Sequence, residues 1–293
     1  MSGKKLPIII GILGITFFAE LIGGLAFNSL SLVSDSFHVF FDLFALILAY
    51  AALSIARKKL PTDKMTYGYH RLEVFSAMIN GFTLVIISIF ILIEVVDRYS
   101  NPVDIKAGSA AIIAVLGLGI NVIAALMLRA DSGDIEDLNI RGAYYHILGD
   151  AMASIAVIIG MVVIVFTDYY FIDPVVAGLI SILILYSAFN VLREGLGILI
   201  HKAPRNIEQI RKRVKQIDGV IDMDDFRLWQ VCSHLIVGTA HVITSVEKLE
   251  DTEKTGKEIK ELLFKEYNVR HLTLEFETSG ISGNHSHKFE HDH

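Results

Sequence analysis

Two pairs of ionisable side chains stand in otherwise apolar sequence at the same spacing. His38 and Asp42 lie in Ser34-Asp35-Ser36-Phe37-His38-Val39-Phe40-Phe41-Asp42, and His146 and Asp150 lie in Tyr145-His146-Ile147-Leu148-Gly149-Asp150. Four residues make about one helical turn, so each pair shares a helix face. Two such faces opposed would bring two imidazole nitrogens and two carboxylate oxygens to one point, a donor set suited to tetrahedral Zn²⁺. A single pair reads more readily as a proton relay or a packing hydrogen bond, but random placement explains the repeated spacing poorly.

The elements that must position these groups are membrane spans. Of the 293 residues 53% are apolar and 20% charged, with a mean hydropathy of +0.53, too apolar for an ordinary soluble domain. A net charge of −6 does not suit a nucleic-acid binder, and the single cysteine, Cys232, excludes a disulfide within the chain. Six apolar segments reach the roughly 20 residues that a spanning helix needs. They run over Leu6 to Phe27, Leu32 to Ala56, Val74 to Val96, Ala107 to Leu128, Tyr144 to Phe166 and Ile172 to Leu192. The first is too long, and lacks the cleavage site, for a removable signal peptide. One set of alternate loops carries Lys4, Lys5, Arg57, Lys58, Lys59, Lys64, Arg71, Arg129 and Arg141, the other only Arg98 and Lys106. This bias predicts cytoplasmic N- and C-termini.

Beyond His201-Lys202-Ala203-Pro204 the sequence turns mixed and water-soluble. Ile207, Ile210, Val214 and Ile217 recur at helical spacing, Arg227 to Val231 and Leu235 to Thr244 read as strands, Leu249 to Tyr267 as a helix and His271 to Glu277 as a strand. The predicted fold class is therefore a membrane protein of six helices (residues 1–200), followed by a small cytoplasmic α-β-β-α-β domain (201–280) and a disordered His-rich tail (281–293).

Longer motifs carry a resemblance. Asn28-Ser29-Leu30-Ser31-Leu32-Val33-Ser34-Asp35 leads into His38 and Asp42, Tyr67-Gly68-Tyr69-His70-Arg71-Leu72-Glu73 enters the third span, Asn139-Ile140-Arg141-Gly142-Ala143-Tyr144 leads into His146 and Asp150, and Asp173-Pro174 opens the sixth. With these motifs the chain resembles the cation diffusion facilitators, exporters of zinc and related divalent metals, over nearly its whole length. The resemblance implies a homodimer in a plasma (inner) membrane, a ferredoxin-like, metallochaperone-like cytoplasmic domain, and exchange of metal for protons by alternating access. It implies that His38, Asp42, His146 and Asp150 form the transport site, and that His at the first position marks the zinc-preferring branch. Zn²⁺ is then substrate rather than cofactor. Regulatory Zn²⁺ in the cytoplasmic domain would fall on His241, Glu275 and Glu277, with Asp224 joining them, although Arg227 stands where relatives often carry His and opposes a cation.

Other polar residues have blander readings. Asp35 is predicted to cap a helix N-terminus, with orientation of a histidine as the alternative. Glu20 and Asn121 read as interhelical packing groups. The loop after the second span offers only Asp63 and His70, with Met65 and Tyr69 where other ligands might sit, too few for a metal site. His285, His287, His291 and His293 read equally as loose metal capture and as a solvated terminus. The function predicted is Zn²⁺ export in exchange for protons, with lipid bilayer, divalent ion and protons as partners and no nucleic acid. Export of Co²⁺, Cd²⁺, Fe²⁺ or Mn²⁺ is the alternative, and a metal sensor a further one. An enzyme is disfavoured, because the ligands are all protein groups and no His-Glu-x-x-His motif supplies a base.

Overall fold

The computed structural model of the chain describes residues 6–58, 62–129, 138–246 and 248–278. Six helices come first: α1 (Leu6–Ala26), α2 (Leu30–Lys58), α3 (Arg71–Ser100), α4 (Ala107–Arg129), α5 (Leu138–Thr167) and α6 (Ile172–Leu199). Even the shortest, α1 with 21 residues, reaches about 30 Å at 1.5 Å per residue. α3 and α6 each carry a stretch long and apolar enough to cross a membrane, and Phe90, Phe166 and Phe189 lie on exposed surfaces. Lipid accommodates such side chains, whereas water would not accommodate so many together.

The helices outrun the apolar segments where the flanks are polar. α5 begins at Leu138 rather than Tyr144, and α6 ends at Leu199 rather than Leu192. Apolar length measures the hydrocarbon layer, while the backbone hydrogen bonds of a helix continue into water until a breaker stops them.

The chain divides into two compact units, Met1–Ala51 with Ser76–Leu192, and Ala52–Phe75 with Arg193–His293. In the first, Leu32 and Phe41 of α2 share a buried core with Leu84 of α3, Val157 and Met161 of α5 and Ile184 of α6, while Ala110 and Ala114 bring α4 in. Small residues of this kind let helix backbones approach in a bilayer.

The start of α2 is held from a distance. Asp173, fully buried in the first turn of α6, accepts hydrogen bonds from the backbone N–H groups of Leu30 at 2.6 Å and Ser31 at 3.0 Å. The hydroxyls of Ser29 and Ser31 also donate to it, and Leu32 N–H donates to Ser29 Oγ at 3.1 Å. Free N–H groups at a helix N-terminus need acceptors, and a carboxylate also complements the positive end of the helix dipole. Ser29 and Asp173 therefore cap α2, and Asp35, expected to cap, lies inside the helix.

The second unit contains the soluble elements α7 (Ile207–Val214), β1 (Val220–Cys232), β2 (Leu235–Thr244), α8 (Leu249–Tyr267) and β3 (Val269–Thr278), the expected α-β-β-α-β order. The sheet order is β1-β2-β3, with β1 and β2 antiparallel and β2 and β3 parallel, so α8 supplies the crossover that a parallel pair requires. Ile210 and Val214 of α7 and Ile259 and Leu263 of α8, each pair one turn apart, pack on Met223, Leu228 and Val242 of the sheet. Gly238 in β2 has no room for a side chain, since a Cβ there would stand 2.8 Å from the Arg227 carbonyl oxygen.

Replacing Asp173 leaves buried N–H and hydroxyl donors unpaired, each at a cost of roughly 1–3 kcal/mol. Asp173→Ala should destabilise the membrane unit by on the order of 3–5 kcal/mol, and Asp173→Asn by less, read as a fall in apparent Tm in detergent. An unchanged Tm for Asp173→Ala would contradict this account of the α2 start.

Candidate metal centre

α2 places His38 and Asp42 on one face, as their spacing predicts, with His38 Nε2 4.0 Å from Asp42 Oδ2. The two side chains are 19% and 30% exposed, so both sit in the membrane unit yet stay reachable by an ion. His146 and Asp150 fall one turn apart on α5, and their side chains lie outside the described residues.

The backbones nevertheless give the relation of the two helices. α5 ends at Thr167, and a short turn later Asp173 binds the start of α2, so α2 begins where α5 ends and the two run antiparallel. One turn before His38, the buried Asp35 accepts a 2.8 Å hydrogen bond from Ser154 Oγ, which lies one turn beyond Asp150 on α5. From Asp35, His38 and Asp42 lie about 4.5 and 10.5 Å along α2; from Ser154, Asp150 and His146 lie about 6 and 12 Å back along α5. The two pairs therefore share one depth within about 2 Å. Asp35 acts here as a buried acceptor that registers α2 against α5.

Glu20 of α1 borders this region. It is fully buried, neither of its carboxylate oxygens has a hydrogen-bond partner, and Asp35 and His38 lie within electrostatic reach. Its side chain occupies the hollow left by Gly117 of α4, where any Cβ would overlap Glu20 Oε1. A desolvated carboxylate without donors is costly to keep in a membrane interior unless a cation stands beside it. Asn121 Oδ1, also on α4, is likewise buried without a partner.

In the soluble domain the structure gathers three of the four expected residues. His241 pairs in register with Glu275 on β3, its Nε2 3.6 Å from Glu275 Oε2 and its Nδ1 2.7 Å from Glu277 Oε1. The carboxylates thus stand at opposite ring nitrogens and do not converge on one point in this arrangement. Asp224, opposite His241 on β1, binds Arg211 Nη2 at 3.0 Å instead, and Arg227 binds Asp225 at 2.9 Å. Among the described residues no three His, Cys, Asp or Glu side chains meet closely enough to hold an ion as they stand. The tail histidines lie outside the described residues, and Asp63 is exposed.

Sequence reasoning missed contacts formed at the entrance to α3. His70 Nδ1 lies 3.9 Å from Cys232 Sγ, Ser233 Oγ donates to Glu73, and His234 Nε2 lies 4.0 Å from Glu73 Oε1. Only a sequence signal linking residues about 160 positions apart would have found them.

Comparison with known proteins is consistent along the chain. Residues 6–200 match the family described as cation efflux transmembrane domain, and residues 203–279 the one described as cation efflux protein, cytoplasmic domain. The cadmium, cobalt and zinc/H(+)-K(+) antiporter of Bacillus subtilis is 31% identical, covering 88% of this chain and 84% of its own. The metal cation efflux system protein CzcD of Cupriavidus metallidurans is 32% identical over 94% of this chain and 86% of its own. The zinc transporter ZitB of Escherichia coli is 29% identical over 98% and 94%. With a membrane bundle and a small α+β domain both matched, the chain belongs to the cation diffusion facilitator family and comprises a transmembrane cation efflux domain followed by a cytoplasmic domain.

Proposed function

We propose that this protein exports Zn²⁺ from the cytoplasm in exchange for protons, through a site formed by His38, Asp42, His146 and Asp150. All three relatives are named for metal-ion transport, efflux appears in one of the names, and zinc in two. The observation that carries the site is the Asp35–Ser154 hydrogen bond, which sets α2 and α5 at a register where the two His/Asp pairs share one depth. Two imidazoles and two carboxylates satisfy a tetrahedral Zn²⁺ and, in turn, let four ionisable groups sit at membrane depth.

Proton coupling follows from the ligand chemistry. Imidazole binds metal only when neutral, and carboxylate only when ionised, so protons and Zn²⁺ compete for the same atoms. In a cytoplasm-facing state the site takes the ion. On the opposite side, protons help displace it and return through the emptied transporter. Moving two positive charges against an inside-negative potential costs about 4.6 kcal/mol per 100 mV, and proton entry offsets this. The name of the Bacillus relative includes both H⁺ and K⁺ as exchanged ions, which supports a counter-cation cycle. The same relative also names cadmium and cobalt, and the nitrogen/oxygen ligand set admits both, so the secondary reading is a broader divalent range. The loop charge bias supports cytoplasmic termini in a plasma membrane, and the soluble domain, alone a small core of two layers, supports a homodimer.

In vesicles with an imposed pH gradient the purified protein should move Zn²⁺, and Asp42→Ala or Asp150→Ala should each lower flux at least ~100-fold while the protein stays assembled. Wild-type flux in either variant would refute the assigned site. Zn²⁺ affinity in detergent should fall by about tenfold or more between pH 7.5 and 5.5, as unperturbed imidazoles take protons near pH 6.5. Affinity independent of pH in that window would remove the competition on which coupling rests.

A further inference from the structure

We propose that Cys232, His70, Glu73 and His234 form a second divalent-metal site, separate from the membrane ligands, which ties the β1–β2 turn to the entrance of α3. His70 directly precedes α3 and Glu73 lies in its first turn, while Cys232 ends β1 and His234 directly precedes β2. All four belong to the same compact unit.

The donors are already close. His70 Nδ1 stands 3.9 Å from Cys232 Sγ and His234 Nε2 4.0 Å from Glu73 Oε1. Ser233, between Cys232 and His234 in sequence, donates its hydroxyl to Glu73, which brings the two pairs together at one turn. Ligands held 2.0–2.3 Å from a tetrahedral ion lie roughly 3.3–3.7 Å from each other, so each of these two pairs needs to close by only a few tenths of an ångström, and capture brings the two pairs onto one ion. Cys232 is 1% exposed at the floor of the cluster, and the exposed His234 leaves a path for an ion from water. Arg71, the neighbouring cation, is engaged by His201 at 2.9 Å.

The donor set defines the ion. One thiolate, two imidazoles and a carboxylate suit Zn²⁺, Cd²⁺ or Co²⁺ and discriminate against Mg²⁺ and Ca²⁺, which prefer oxygen. A dication at the sulfur favours the thiolate over the thiol. Because the loop after α2 supplies too few ligands alone, the site exists only where the soluble sheet completes it. Occupancy would therefore fasten the sheet to the start of a membrane helix.

The single cysteine makes the test specific, because a thiolate-to-cobalt charge-transfer band can come from no other residue. Full-length protein in detergent, titrated with Co²⁺, should show this near-ultraviolet band. Cys232→Ala should abolish it, His70→Ala and His234→Ala should each weaken Co²⁺ binding at the band by at least ~10-fold, and Asp42→Ala should leave it in place. Co²⁺ binding by the wild type without the band overturns the proposal, whatever the variants do. A band indifferent to both histidine substitutions also overturns it. Survival in Asp42→Ala keeps this result separate from the fate of the transport site.

Discussion

A charged or polar group inside a bilayer must find its partner within the protein, and most of this chain's membrane unit is organised around that constraint. Asp173 takes the free donors at the start of α2 and Asp35 takes the Ser154 hydroxyl, while Glu20, without a hydrogen-bond partner, is seated in the hollow left by Gly117 of α4. Each of these contacts joins different helices. Because water cannot substitute for them, they fix axial register more firmly than apolar packing, which tolerates sliding. His38 and Asp42 inherit their depth from this lattice, and with it their relation to the second pair on α5.

The soluble domain obeys a different balance. Its core is small and conventional, with one-turn pairs from α7 and α8 packed on three strands. Its charges are met by other charges at the surface, where such pairs contribute little to stability. Beside these pairs His241 stands between two carboxylates, with Glu277 at Nδ1 and Glu275 at Nε2.

Much of this was legible in the sequence, and the failures share a cause. Six apolar runs disclosed six helices, and the 3.6-residue period disclosed α7 and α8, because both signals are local. Helix ends are poorly legible, as α5 and α6 continue past the apolar residues that announce them. β1 begins at Val220, seven positions before the expected Arg227, because Asp222, Asp224 and Asp225 look like a loop. The strand carries them on exposed or half-buried positions, and breaks register between Asp224 and Arg227 where Asp225 adopts a φ of 42°. The turn before Asp35 suggests a cap there, whereas the true cap comes from Asp173, 143 residues from Leu30. The cluster at Cys232 is invisible for the same reason. No local pattern reports a partner about 160 residues away.

The central claim is that α2 and α5 share one ion. A zinc anomalous-difference map from crystals of the full-length protein grown with Zn²⁺ tests it most directly. The account predicts a membrane-embedded peak about 2.0–2.2 Å from a nitrogen of His38, a nitrogen of His146, and an oxygen each of Asp42 and Asp150. A membrane-embedded peak bonded to only one of the two helices, or zinc bound in the soluble domain with none between α2 and α5, would contradict it.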